Sequence, residues 1–182
     1  MTLFKNNYRI ETTRLHGWDY SSDGYYFVTI CVKDRDHLFG HIAKGEMQLN
    51  PYGAIVEQCW FDLPNHYPNI KLDAFCVMPD HVHCIVQIDN NISLEAGFKP
   101  ASTSFKPAST KTTTKRHGLF ECIRAFKTFS ARRINELRNS AGKHVWQSRF
   151  YDHIIRDQGS LERIREYINR NPKNWHDEAS NL

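Results

Sequence analysis

The stretch at residues 75–88, FCVMPDHVHCIVQI, constrains the fold more than any other part of the chain. Residues 70–78 and 81–88 are two apolar, β-rich runs separated only by Pro79-Asp80. A Pro-Asp pair suits a tight turn, so the runs read as adjacent strands. Side chains alternate across a strand, so His81 and His83 share one face while Val82 and Cys84 share the other. Two imidazoles a few ångströms apart make a natural metal chelate, and here they sit in an apolar run where unpaired polar groups are costly. The same H-x-H also describes two half-exposed histidines at a strand end. Spacing alone leaves both readings open.

The flanking sequence supplies the rest of the frame. Residues 25–32, YYFVTICV, are aromatic and β-branched, a strand signal. Short extended pieces are expected at 37–42 and 46–49. Pro51 is well placed to open a helix whose apolar positions include Ile55, Val56, Cys59, Trp60 and Leu63, and Pro64 is expected to stop it. Residues 119–138 form a second helix with the stripe Leu119, Ile123, Phe126, Ile134 and Leu137. Residues 145–146 and 153–156 read as short extended pieces. Ser160 is the expected N-cap of a last helix, 161–171, closed by Pro172. Irregular alternation with a hairpin-like strand pair favours an antiparallel α+β fold over a doubly wound parallel sheet.

The chain has 182 residues, 40% of them hydrophobic and 13% aromatic, enough for one sizeable core in a single domain over 1–182. No apolar run approaches the ~20 residues of a membrane span, and the opening MTLFKNNYRIETTRL lacks the apolar core of a secretory signal. Five cysteines, odd in number and without a C-x-x-C pair, read as free thiols of a reducing cytoplasm. Residues 93–117 hold FKPAST twice, then KTTTKRHG, and read as a flexible basic insertion. Lys99, Lys106, Lys111, Lys115 and Arg116 against Glu95 account for the whole net charge of +4. A nucleic-acid surface on the folded remainder must therefore come from charge segregation. Arg124 and Arg132 lie off the apolar stripe of the 119–138 helix, with Lys127 and Arg133 flanking it. They are candidate phosphate contacts, or else an ordinary solvated helix face.

A second chemical feature lies in REYINRNP, residues 165–172. Tyr167 and Asn171 are i and i+4 on the last helix, beside the anchors Leu161, Ile164 and Ile168. A phenol beside a metal ion can act as a nucleophile, and an amide oxygen can be a ligand. Equally, such a tyrosine can merely complete a helix–sheet core.

Taken together, GYYFVTICV, FCVMPDHVHCIV, FKTFSARRIN, VWQSRFYDHIIRD and EYINRNPKNW occur in order over most of residues 23–175. This set resembles the single-tyrosine HUH transposases (U, a hydrophobic residue), particularly the branch associated with repetitive extragenic palindromes (REP). The resemblance implies a ferredoxin-like antiparallel sheet with helices packed on it. It implies metal ligation by His81, His83 and Asn171, and Tyr167 as nucleophile, with Tyr151 of RFYDH ranking second. The expected activity is metal-dependent cleavage and rejoining of single-stranded, hairpin-bearing DNA through a 5′-phosphotyrosine. The donor set leans towards Mn²⁺ and the resemblance towards Mg²⁺. Tyr25, Tyr26, Trp146 and Phe150 are candidates for stacking on bases or for the core. The partner is hairpin DNA rather than a membrane, the place is the cytoplasm near the nucleoid, and both monomer and homodimer fit. Two rivals stand beside this: a metal-dependent phosphodiesterase using activated water, and a non-catalytic hairpin-binding regulator. The insertion at 93–117 departs from the family pattern and bears on loop-borne DNA contacts.

Overall fold

The computed structural model describes residues 14–91 and 116–175, together with strand backbone at 3–4 and 7–8. In chain order, β1 (Leu3–Phe4) and β2 (Asn7–Tyr8) pair with each other. Then come β3 (Gly24–Cys31), the hairpin of β4 (Gly40–Ala43) and β5 (Glu46–Leu49), α1 (Pro51–Phe61) and α2 (Leu63–His66). The strands β6 (Ile70–Val77) and β7 (His81–Ile88) follow, then α3 (Leu119–Leu137), β8 (Tyr151–Ile155) and α4 (Gln158–Arg170). The main sheet has the order β6-β7-β3-β8, and every pairing in it is antiparallel. Helices cover both faces, which makes the fold the antiparallel α+β arrangement expected. All but the last two residues of the 93–117 insertion lie outside the described residues.

Strict alternation divides the two cores. Tyr26, Val28 and Ile30 of β3 and Val82, Cys84 and Val86 of β7 meet Val56 and Trp60 of α1 and Ile123, Phe126 and Ile134 of α3. The intervening residues Phe27 and Ile85 meet Leu161 and Ile168 of α4 together with Ile155. Cys84 of β7 pairs with Val28 and His83 with Thr29, so the histidines point to the α4 face. The sheet thus isolates the imidazoles from the larger core.

Several boundaries differ from the sequence reading. Pro64 does not end helix but occupies the first turn of α2, where its missing N–H is no loss. Asn50 caps α1 by accepting from the amides of Tyr52 and Gly53. Asp157, not Ser160, caps α4: its carboxylate accepts from both the amide and the hydroxyl of Ser160, and the helix starts three residues early. Leu137 at the end of α3 is 52% exposed and leaves the apolar stripe. Ser130 takes an unexpected place in that stripe, donating to the Phe126 carbonyl and accepting from the Trp146 indole. Strand β8 begins at Tyr151, because the segment pairs with β3 from Thr29 onward.

Candidate active site

His81 and His83 open β7 and are both buried. Their Nε2 atoms face each other at 2.9 Å. Each Nδ1 is engaged on the far side: His81 with the Asp80 carboxylate at 2.5 Å, and His83 with the Thr29 hydroxyl at 2.8 Å. A carboxylate only accepts, so Asp80 requires the proton on His81 Nδ1 and leaves Nε2 as a lone pair aimed at the gap. Burial, the largest influence, lowers the His83 pKa to about 3, which keeps that ring neutral and able to ligate. Two nitrogen ligands each ~2.1 Å from an ion and at right angles stand about 3 Å apart, so the imidazole spacing suits a shared cation.

The last helix brings the phenol to the same point. Leu161, Ile164 and Ile168 seat α4 on Phe27 and Ile85, and the Tyr167 hydroxyl lies 3.3 Å from His83 Nε2. Its ring is 49% exposed, edge-on to Phe27 at 6.2 Å, so it stands at the rim of the core rather than within it. Tyr151 shares this sheet face and is 52% exposed, but the ring it meets is Phe27. Asn171 follows Tyr167 by one turn and opens a short 3₁₀ turn, Asn171–Asn174. That turn delivers Trp175 to 5.9 Å from the His81 ring. Among the described residues no group of three or more His, Cys, Asp or Glu forms a metal cage.

No family model matches the chain. An uncharacterized Haemophilus influenzae protein is 38% identical over 165 residues, covering 89% of this chain and 87% of its own length. A second protein of that organism, provisionally named a REP-associated tyrosine transposase, is 29% identical over 154 residues, 85% of this chain and 73% of its own. A solved REP-associated tyrosine transposase bound to a REP hairpin shares the fold, with a TM-score of 0.56 at 19% identity, over 96% of this chain and 80% of that one. The chain is thus similar in sequence to a provisionally named REP-associated tyrosine transposase and shares the fold of a solved one.

Three residues that the sequence reading passed over complete the site. Asp80, read as part of a turn, is 3% exposed and ion-paired to Arg35 at 2.7 Å as well as to His81. Burial opposes its charge, but the His81 hydrogen bond and the nearby cations outweigh burial and hold its pKa below the usual range. Arg35 reaches it from a turn in which Asp34 and Arg35 both adopt positive φ, 58° and 62°. Thr29 reads as a routine strand residue until the β3–β7 register places it beside His83. An acidic residue directly before H-x-H was the one available signal.

The candidate DNA-contacting cations lie elsewhere. Arg124, Lys127 and Arg132 line a groove of about 1490 Å³ between α3 and the segment before β8, joined by Arg14, Lys33 and Lys143. The groove is lined from α3, on the sheet face opposite α4, and neither imidazole is among its lining residues. Lys127 donates to the carbonyls of Gln147 at 2.7 Å and Ser148 at 3.0 Å, which fixes the groove wall, and burial lowers its pKa. Arg133 points instead towards Cys59 of α1, at 3.6 Å from its Sγ. Trp146 is a core residue, and Tyr26 is fully buried. Among the described residues, no helix is long and apolar enough to cross a membrane.

Proposed function

We propose that the protein cleaves and rejoins single-stranded, hairpin-bearing DNA, with Tyr167 as the nucleophile. The observation that carries this reading is the convergence of the Tyr167 hydroxyl and both imidazole Nε2 atoms on one point. A divalent ion, Mg²⁺ or Mn²⁺, held by His81, His83 and Asn171 would supply Lewis-acid polarisation of the scissile phosphate.

Tyr167 attacks phosphorus in line. The phenolic oxygen–phosphorus bond forms, the bond from phosphorus to the 3′-oxygen breaks, and the departing 3′-oxygen takes up a proton as the phenol loses one. The product is a 5′-phosphotyrosine, which keeps the phosphodiester's energy. A second 3′-hydroxyl can then attack it, restoring the phenol and resealing DNA without ATP. Partial exposure of Tyr167 leaves room for a strand to reach it, and burial of the histidines keeps their geometry fixed. Phosphates of the hairpin would lie along the Arg124 and Arg132 groove, where their contacts position the DNA without reading its sequence.

Replacing Tyr167 by Phe tests the reading. The variant is expected to bind hairpin DNA normally and to form no covalent adduct. Cleavage that persists in the variant would assign the chemistry to an activated water instead.

A further inference from the structure

Strand β6 carries an irregularity with no role in the chemistry described so far. Its register to β7 slips between Leu72, which pairs with Val86, and Phe75, which pairs with Cys84. Asp73 and Ala74 thus stand opposite the single residue Ile85, a β-bulge. Leu72 and Phe75 both pack with the α1 and α3 core, whereas Ala74 and Cys76 pack with the α4 core. The extra residue lets Asp73 turn towards α4 without displacing its apolar neighbours. There its carboxylate accepts from Arg165 Nε at 2.8 Å and from Arg165 Nη2, a bidentate pair, and also from the Ala74 amide at 2.7 Å. The Arg165 hydrogen bonds, the largest influence, hold the Asp73 pKa below the usual range.

Arg165 lies two residues before Tyr167 on the same helix. Ile164 and Ile168 set the height of α4 above the sheet, but apolar contacts tolerate a roll or slide that a bidentate pair does not. We propose that Asp73 and Arg165 are positioning residues that fix the rotation of α4 and so hold the Tyr167 hydroxyl at the imidazole pair. The inference rests on Tyr167 being the nucleophile, as proposed above. The pair is bonded neither to the histidines nor to the residues lining the basic groove, so its effect belongs in the chemical step and in the Asn171 end of the metal site, not in hairpin binding.

The test uses the full chain as D73A, R165K and the charge-swapped D73R/R165D. Single-turnover adduct formation is measured at saturating hairpin DNA and Mn²⁺, alongside hairpin affinity, Mn²⁺ affinity and the nuclear Overhauser contact between the Tyr167 and His83 rings. Those ring centroids lie 5.2 Å apart. D73A and R165K are expected to slow adduct formation by on the order of 10–100-fold and to lose the ring contact. Hairpin affinity should stay unchanged, Mn²⁺ affinity should weaken because Asn171 rides on the same helix, and the swap should recover rate, contact and Mn²⁺ affinity together. Persistence of the ring contact in D73A overturns the inference, as does a D73A rate equal to that of the wild type. If the wild type forms no adduct, the proposed function fails, and the ring contact measured without DNA still decides the clamp.

Discussion

Replacing Asp80 by Ala removes a carboxylate that touches no substrate, yet it should weaken metal binding sharply. Asp80 is nearly inaccessible and holds two partners, His81 Nδ1 at 2.5 Å and Arg35 Nε at 2.7 Å. Without it, His81 loses the acceptor that fixes its ring orientation and keeps the lone pair on Nε2. Outer partners of ligating histidines are typically worth 10–100-fold in metal affinity, or about 1.4–2.8 kcal/mol. Folding stability should fall as well, by about 1–3 kcal/mol, because the His81 N–H is left buried and unpaired. Arg35 is half exposed and regains water, so its loss adds little. Asp80→Asn keeps an acceptor but not the charge and should fall between. Calorimetric titration of Mn²⁺ into metal-free protein, paired with thermal unfolding, measures both effects. An Asp80→Ala variant that binds Mn²⁺ as tightly as the wild type would refute the reasoning.

Three further outcomes follow from the geometry. The metal-free protein should lose stability as pH falls from about 6.5 towards 3, since the unfolded chain takes up a proton that folded His83, with its pKa lowered to about 3, refuses. Urea titrations across that window should show a flatter dependence in His83→Gln, and an equal slope would count against the burial argument. Arg124→Ala and Arg132→Ala should each weaken hairpin binding across sequences and reduce the salt slope by roughly one. An unchanged slope would place the DNA outside the groove. Because Tyr167 reaches the histidines of its own chain, mixing Tyr167→Phe with His83→Ala should restore no activity. Restored activity would mean that the tyrosine helix serves a partner copy.

Local patterning carried the site a long way. Alternation along residues 81–88 put His81 and His83 on one face, and helical spacing put Tyr167 beside the anchors that seat α4. The remaining parts depend on pairings between distant segments. Thr29 meets His83 only because β3 and β7 take one particular register, and Asp73 meets Arg165 only because β6 gains a residue at the bulge. Neither register is written in a local pattern. The groove illustrates the same gap. The 119–138 helix showed which cations lie off its stripe, but not that they line a groove with Arg14, Lys33 and Lys143 or that Arg133 turns towards Cys59. The misassigned cap at Ser160 has a simpler cause: Asp157 three residues earlier is an equally good cap, and it captures the Ser160 amide.

The most direct measurement is incubation of the full chain with end-labelled, hairpin-bearing single-stranded DNA and Mg²⁺ or Mn²⁺, followed by denaturing electrophoresis and peptide mapping of any protein–DNA adduct. The account predicts a 5′-phosphoryl link on Tyr167 that a free 3′-hydroxyl strand can reverse. An adduct mapped to Tyr151, or cleavage that leaves no covalent species, would contradict it.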